Sequence, residues 1–229
     1  MMTKSQPVVL YEDNHIIIVN KRSSDLVQGD GTGDEPLDDM VRAYIKEKYN
    51  KPGDVFLGVV HRLDRPVSGC VVYARTSKAL SRLSELFRTR EVKKCYWAIV
   101  TDRPPEEEGT LRSYLKKNEK QNKSYVYDKE VKGSKLADLS YRLLARSERY
   151  YLLEVDLYTG RHHQIRAQLA AAGCPVKGDL KYGAKRSNEG GGISLHSRRV
   201  SFVHPVKKEE ISVVAPLPDD RIWKLFKNI

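Results

Sequence analysis

Ala137-Asp-Leu-Ser-Tyr-Arg-Leu-Leu-Ala145 and Tyr150-Tyr-Leu-Leu-Glu-Val-Asp-Leu-Tyr158 are two strand-like runs joined only by Arg146-Ser-Glu-Arg149. A link that short folds the chain back on itself, so the pair reads as an antiparallel hairpin. Upstream, Lys94–Thr101 alternates like a strand, and Thr110–Leu115 and Ser124–Tyr127 add more β-structure. Ser194–Val203 and Glu210–Val214 are late strands, and Val8–Glu12 and Ile16–Asn20 are early ones, separated by the turn-forming Asp13-Asn14-His15. Helices punctuate this pattern. Pro36 opens one through about Tyr49, with Leu37, Met40, Val41, Tyr44 and Ile45 on one stripe. Ser77–Arg90 is a second, with Leu80, Leu83, Leu86 and Phe87 on one face and basic residues on the other. His162–Ala172 is a third, capped by Gly173, and Arg221–Lys227 closes the chain. Strands and helices mix without regular β-α alternation. The expected class is therefore α+β with a largely antiparallel sheet, in a single domain over residues 1–229. No repeat, low-complexity tract or linker divides the chain.

The chain of 229 residues carries 41 Lys+Arg against 30 Asp+Glu, net +11, with a pI near 9.5. A folded domain this basic points to a polyanion, and nucleic acid is the usual one. Cys70, Cys95 and Cys174 are odd in number and form no C-x-x-C pair. A disulfide framework and a cysteine metal site are both disfavoured, which fits a reducing compartment. The start lacks an apolar signal segment, and no apolar run approaches the ~20 residues of a membrane helix. The expectation is a cytoplasmic protein with no membrane association. The run Gly29-Asp-Gly-Thr-Gly33 carries carboxylates and lacks a following Gly-Lys-Ser/Thr, so it reads as a surface loop rather than a phosphate cradle. Lys116–Lys135 is polar and lysine-rich and reads as a mobile, exposed hairpin tip.

Two dense polar segments carry the chemistry. His61-Arg62-Leu63-Asp64-Arg65 lies between the apolar runs Val55-Phe-Leu-Gly-Val-Val60 and Cys70-Val-Val-Tyr-Ala74, both strand-like. A charged loop pinned between buried strands is a place where catalytic residues sit. Flanking Arg62 and Arg65 favour the ionised form of Asp64, which suits it as a nucleophile or base. On these residues alone, a strand-end salt bridge is the simpler explanation. The second segment, Thr159-Gly-Arg-His-His-Gln-Ile-Arg166, opens a helix. Arg161, His162 and His163 there oppose the helix dipole, which points to a bound anion, either RNA phosphate or an Asp carboxylate. His162-His163 point in different directions and have no further ligand at metal spacing, so no metal is expected.

Six stretches, taken in order, resemble the RluA-type pseudouridine synthases from about residue 8 to about residue 220. His61-Arg62-Leu63-Asp64-Arg65 with Ser68-Gly69 is similar to the family's H-R-L-D-R-x-T-S-G signature. Lys94-Cys95-Tyr96-Trp97-Ala98 resembles K-x-Y-x-A, and Gly160-Arg161 with His163-Gln164-Ile165-Arg166 resembles G-R-T-H-Q-I-R. Gly178-Asp179 with Tyr182-Gly183 resembles G-D-x-x-Y-G, and the Tyr11-Glu12-Asp13, Val19-Asn20-Lys21 opening and the Leu195-His196 to Pro218 tail also fit. The chain departs from the pattern at Pro66, Val67, His162, Gln168 and Arg22–Gln28. The resemblance implies a mixed domain with a long curved, largely antiparallel sheet flanked by helices and a central RNA-binding cleft. No room is expected for the small S4-like domain that many relatives carry.

The implied reaction converts uridine in structured ribosomal or transfer RNA to pseudouridine, without cofactor or metal. Asp64 is implied as the catalytic carboxylate, Tyr96 as the residue that stacks on uracil and relays a proton, and Arg166 as the partner that orients Asp64. Arg62, Arg65, His61, Lys21, Arg161, His163 and Gln164 are the candidate RNA contacts. Protein partners and oligomeric state, a monomer included, are left open, and no heptad seam suggests a coiled-coil dimer. Two rival readings are a catalytically silent RNA-binding protein and a glycoside hydrolase. The second needs two carboxyl groups across the scissile bond, for which Asp179 is the available second acid.

Overall fold

The computed structural model describes residues 6–29 and 33–229. The start of the chain and the middle of the Gly29–Gly33 run therefore lie outside the described residues. The chain forms two compact units that interleave in sequence. One comprises the chain up to Val92 together with Arg199–Pro216, and the other comprises Lys93–Arg198 with Leu217–Ile229.

In the first unit, β1 (Val8–Glu12) pairs antiparallel with β2 (Ile16–Lys21), and β2 pairs antiparallel with β4 (Ser68–Ala74). Asp13 makes the β1–β2 turn, its Oδ1 accepting the N–H groups of His15 and Ile16 at 2.8 and 2.9 Å. Ile16, Ile17, Ile18 and Val19 are all fully buried, as is the whole of β4. This explains why both segments read as unbroken apolar runs: they are covered on both faces. Burying each such side chain contributes about 1.5–3 kcal/mol. Helices α1 (Leu37–Lys48) and α2 (Ser77–Arg88) follow their apolar stripes, and Thr76 caps α2 by accepting the Ala79 N–H at 3.1 Å. Ala79 and Leu83 of α2 join Ile16, Ile18 and Val72 in one core. The expected strand over Val55–Val60 shrinks to the two residues of β3 (Gly58–Val59), paired to β4. Leu80 of α2 approaches Gly58 so closely that a Cβ would meet its side chain at 2.8 Å, so a larger residue there would push Leu80 aside. The end of β10 (Leu195–Val203) pairs with β11 (Glu210–Val214).

In the second unit the strand order is β5 (Lys93–Val100), β9 (Tyr151–Leu157), β8 (Lys135–Arg146), β6 (Glu108–Asn118) and β7 (Lys123–Tyr127), every pairing antiparallel. The β8–β9 hairpin expected from sequence is present, with a bulge between Leu143 and Ala145. β6 runs three residues beyond its expected end and pairs with β7 in a hairpin that occupies the first part of the Lys116–Lys135 stretch. Helix α3 (Gln164–Ala171) lies on the face of Leu115 and Ala137, where Ala167 and Tyr182 complete a small core. A short α4 (Arg221–Lys224) places Trp223 in a second core with Trp97 and Ile99. The class is the expected α+β with largely antiparallel sheet structure. No described helix is long and apolar enough to cross a membrane.

Candidate functional site

Asp64 sits in the loop between β3 and β4, and this loop is clamped on two sides. After β3 pairs with Ala74 and Tyr73, the next β4 donor, the Val72 N–H, goes to His61 Nε2 at 2.9 Å. The His61 ring thus continues the ladder with a side chain, and it stacks on Phe87 with centroids 4.6 Å apart. Leu63 and Val67 are buried plugs on either side of Asp64. The loop turns through a Val67 N–H bond to the Asp64 carbonyl at 3.0 Å, and Gly69 leaves it at φ 111°, a conformation open to glycine.

The second clamp is Lys21, which is 0% exposed. Its ammonium donates to the carbonyls of Arg22, Arg65 and Val67 at 2.9, 3.0 and 2.6 Å. Ser23 Oγ donates to Pro66 O at 3.1 Å, and the Ser24 N–H donates to Arg65 O at 2.9 Å. The departures at Ser23 and Ser24 therefore fasten the Asp64 loop. Burial brings the Lys21 pKa down to about 8, against the upward pull of Asp25 and Asp64. Lys21 is thus a buried structural cation. The positive charge acting on Asp64 includes this ammonium, whereas Arg65 is turned to Asp34 and to the Ser24 carbonyl. His61 is likewise a loop anchor. Arg62 is exposed and borders a polar hollow of about 410 Å³ with Gln28, Arg42 and His61.

The second unit holds the other residues. Tyr96 lies on β5 opposite Val155 and is 7% exposed. The register puts it on the same sheet face as Val155, Tyr141 and Leu139. Helix α3 starts two residues later than its expected start, because His163 takes a left-handed conformation at φ 53° and serves as N-cap. Gln164 is buried. Its Oε1 accepts from Thr159 Oγ1 at 2.7 Å and from the Arg161 N–H at 3.0 Å, while its Nε2 donates to Asp138 O at 3.1 Å. Arg161 Nε donates to Leu136 O at 2.8 Å. Gln164 and Arg161 thus stitch the 159–164 turn onto β8.

Arg166 is buried and forms a bidentate pair with Asp179, Nε to Oδ2 at 2.6 Å and Nη2 to Oδ1 at 2.9 Å. Its guanidinium carbon lies 5.1 Å from the Tyr182 ring centroid. The Tyr182 hydroxyl accepts the Ser124 N–H at 2.8 Å and lies 3.0 Å from His163 Nδ1. Burial, then the charge of Arg166, depresses the His163 pKa to about 2. Both effects favour the neutral ring. His162 stacks on it at 3.7 Å and bonds Ser124 Oγ and Asn122 Oδ1. Among the described residues no group of three or more His, Cys, Asp or Glu is placed to hold a metal ion.

Asp179 and Tyr182 are the residues to which sequence reasoning gave no part in this constellation. Their signal was present in Gly178-Asp179 and Tyr182-Gly183. Gly178 takes φ 91°, and a Cβ there would meet Asn188 at 2.7 Å. The buried pair with Arg166 also removes Asp179 as a free second carboxylate, so the glycoside hydrolase reading loses its second acid.

The family model for RNA pseudouridylate synthases matches residues 15–171. An uncharacterized RNA pseudouridine synthase of Synechocystis is 33% identical over 213 residues, 92% of this chain and 65% of the relative. One of Bacillus subtilis is 30% identical over 96% of this chain and 72% of its own length. The ribosomal large subunit pseudouridine synthase D of Xylella fastidiosa is 33% identical over 93% and 66%. The chain thus spans about two thirds of the length of these curated relatives. Among solved structures, human RNA pseudouridylate synthase domain containing 4 superposes with a TM-score of 0.81 at 23% identity, covering 96% of this chain and 92% of that one. Human RNA pseudouridylate synthase domain containing 1 gives 0.75 at 23% identity, covering 96% and 86%. The matched segment contains Asp64, Tyr96 and Arg166, and the fold agrees with it: the chain belongs to the RNA pseudouridylate synthase family.

Proposed function

We propose that this protein isomerises uridine to pseudouridine in structured RNA, acting as a single catalytic domain in the cytoplasm. In the reaction the N1–C1′ glycosidic bond breaks, the uracil turns, and C5 bonds to C1′. The proton on C5 is lost and N1 gains one, so no cofactor or oxidant is needed. Asp64 is the carboxylate that assists departure of the base, either as a nucleophile or by promoting a glycal. The observation that carries this reading is its setting: a carboxylate on a loop fixed by a buried ammonium and a laddered histidine, within the segment matched by the family. Such a loop holds the carboxylate with little reorganisation during the reaction.

Tyr96 stacks on the uracil and relays the C5 proton. Arg166, locked by Asp179 and the Tyr182 ring, orients the Asp64 carboxylate, a task suited to a planar guanidinium. The target nucleotide is flipped from its stem, at a cost of roughly a few kcal/mol. Arg62, exposed and with no ion pair among the described residues, fills the vacated stack or clamps a flanking phosphate, and Arg65 and Arg161 are secondary phosphate contacts. Relatives named for the large ribosomal subunit favour ribosomal RNA as substrate, with transfer RNA as the other choice. The test is to map pseudouridines in total RNA from cells with and without the gene: loss of specific sites supports the activity and names the RNA. An unchanged map together with retained RNA binding would favour the silent binding protein instead.

A further inference from the structure

The β6–β7 hairpin presents a second surface that the catalytic reading does not use. Between Arg112 and Lys135 the chain carries eight Lys and Arg against three Asp and Glu. Register sorts these residues by face. Tyr127 lies opposite Tyr114, Tyr125 opposite Lys116, and Lys123 opposite Asn118. Directly opposed residues share a face, and residues two apart share it too. Tyr114, Lys116, Lys123, Tyr125 and Tyr127 therefore lie on one side, with Arg112 continuing the row. Leu115 and Val126 point the other way and pack with Ala137, Ala167 and Ala170. The row is thus the outer face of the sheet, turned away from α3, and Tyr96 lies on the α3 side.

This face is exposed, cationic and aromatic. Tyr125 is 39% and Tyr127 is 38% exposed. Arg112, Lys116 and Lys123 form no ion pair among the described residues. Lys123 sits at the edge of this face, its ammonium 5.1 Å from the Tyr182 ring centroid and 5.6 Å from that of Tyr125, and the Tyr125 hydroxyl donates to Gln121 in the turn. The rings are held on a rigid strand rather than on a flexible loop. Tyr125 and Tyr127 are roughly 7 Å apart along the strand, twice the rise per residue. Bases stacked in a duplex are about 3.4 Å apart and hide their faces from such rings. An extended single strand offers separated base faces and a backbone charge for the interleaved lysines.

We propose that the outer face of the β6–β7 hairpin is a sequence-tolerant stacking platform for single-stranded RNA, through which the protein holds a segment flanking its structured target. The choice of RNA as the natural polyanion rests on the proposed function, but the surface is tested apart from it. The probe is a fluorescent oligoadenylate of twelve residues, which contains no uridine, read by fluorescence anisotropy with the full chain. The Tyr125→Ala/Tyr127→Ala variant binds it about tenfold or more weakly. The Tyr125→Phe/Tyr127→Phe variant binds like the wild type, since stacking needs the ring and not the hydroxyl. Lys116→Gln makes the log–log salt dependence shallower by about 0.7. Unchanged affinity of the double Ala variant overturns the proposal. So does a matched RNA duplex that binds as tightly as the single strand, or polyglutamate that competes as well as RNA. Uridine isomerisation in a separate assay reports on the catalytic reading alone, so the two can fail independently.

Discussion

The carboxylate of Asp179 receives two N–H groups of Arg166 in a buried bidentate pair, at 2.6 and 2.9 Å. Two parallel charge-assisted bonds fix both the position and the plane of the guanidinium. The Tyr182 ring 5.1 Å away supplies a third constraint. Arg166 is thus built as a rigid cation on α3 rather than a mobile surface charge.

Asp179→Asn leaves a buried guanidinium without its counter-charge. Removing one partner of a buried pair costs about 3–5 kcal/mol. Urea denaturation is expected to show a loss near the lower end, because the Asn carbonyl keeps one bond and Tyr182 keeps its contact. If Asn at this position leaves the unfolding midpoint unchanged, Arg166 is not held as described.

Lys21→Met leaves the Arg22 and Val67 carbonyls without this donor, while Arg65 O keeps the Ser24 N–H. Each buried acceptor left unsatisfied costs about 1–3 kcal/mol. Against this, the variant recovers the cost of burying the ammonium, ~3 kcal/mol from its lowered pKa. The two carbonyls narrowly outweigh that gain, so a net loss of about 1 kcal/mol is expected in thermal unfolding. The wild-type pH dependence follows from the same shift. Between about 8 and the ordinary lysine pKa of 10.5, the folded state has released a proton that the unfolded state keeps. Stability from this group therefore rises with pH across that window. Activity moves the other way, because the charge near Asp64 disappears: turnover is expected to fall with a midpoint near 8. An activity flat to pH 10 would detach Lys21 from the function of Asp64.

Much of this was legible in the sequence, and the exceptions have physical causes. Element positions followed from apolar periodicity, most within one or two residues, because β2, β4 and α2 bury the residues their patterns mark. The motif at Asp64 was readable because the loop is short and its chemistry is carried by consecutive residues. The structural part played by Lys21 was hidden because its partners are backbone carbonyls, which leave no mark in a sequence. The anchoring parts of His61 and Gln164 were hidden because Val72, Phe87 and Asp138, which engage them, lie 11 to 26 residues away in the chain. His163 was counted as a cation because composition does not reveal burial. The left-handed turn that buries it also delays α3.

His163 gives a second pH signature. Its pKa in the folded state is about 2. As pH falls below about 6.5, the unfolded state takes up a proton that the folded state refuses. Folding stability is therefore expected to fall by ~1.4 kcal/mol per pH unit on acidification from this group alone. His163→Asn, which tolerates the left-handed conformation, should show a slope shallower by that amount between pH 6 and 4. In the wild type the His163 ring is expected to show no NMR titration between pH 5 and 8. A ring that titrates near 6.5 would contradict the buried, Tyr182-bonded state.

RNA binding by the basic surface is expected to weaken steeply with salt, since each phosphate neutralised releases counterions. Arg62→Ala should reduce affinity for the substrate RNA and make the log–log salt slope shallower by about 1. Unchanged binding by this variant would remove Arg62 from the interface.

The central claim is that Asp64 breaks the glycosidic bond. RNA carrying tritium at uridine C5 releases it to water when C5 bonds to C1′. The wild type is expected to release tritium, and Asp64→Ala none, while keeping its fold and its affinity for RNA. Tritium release by a folded Asp64→Ala variant at the wild-type rate would contradict the assignment.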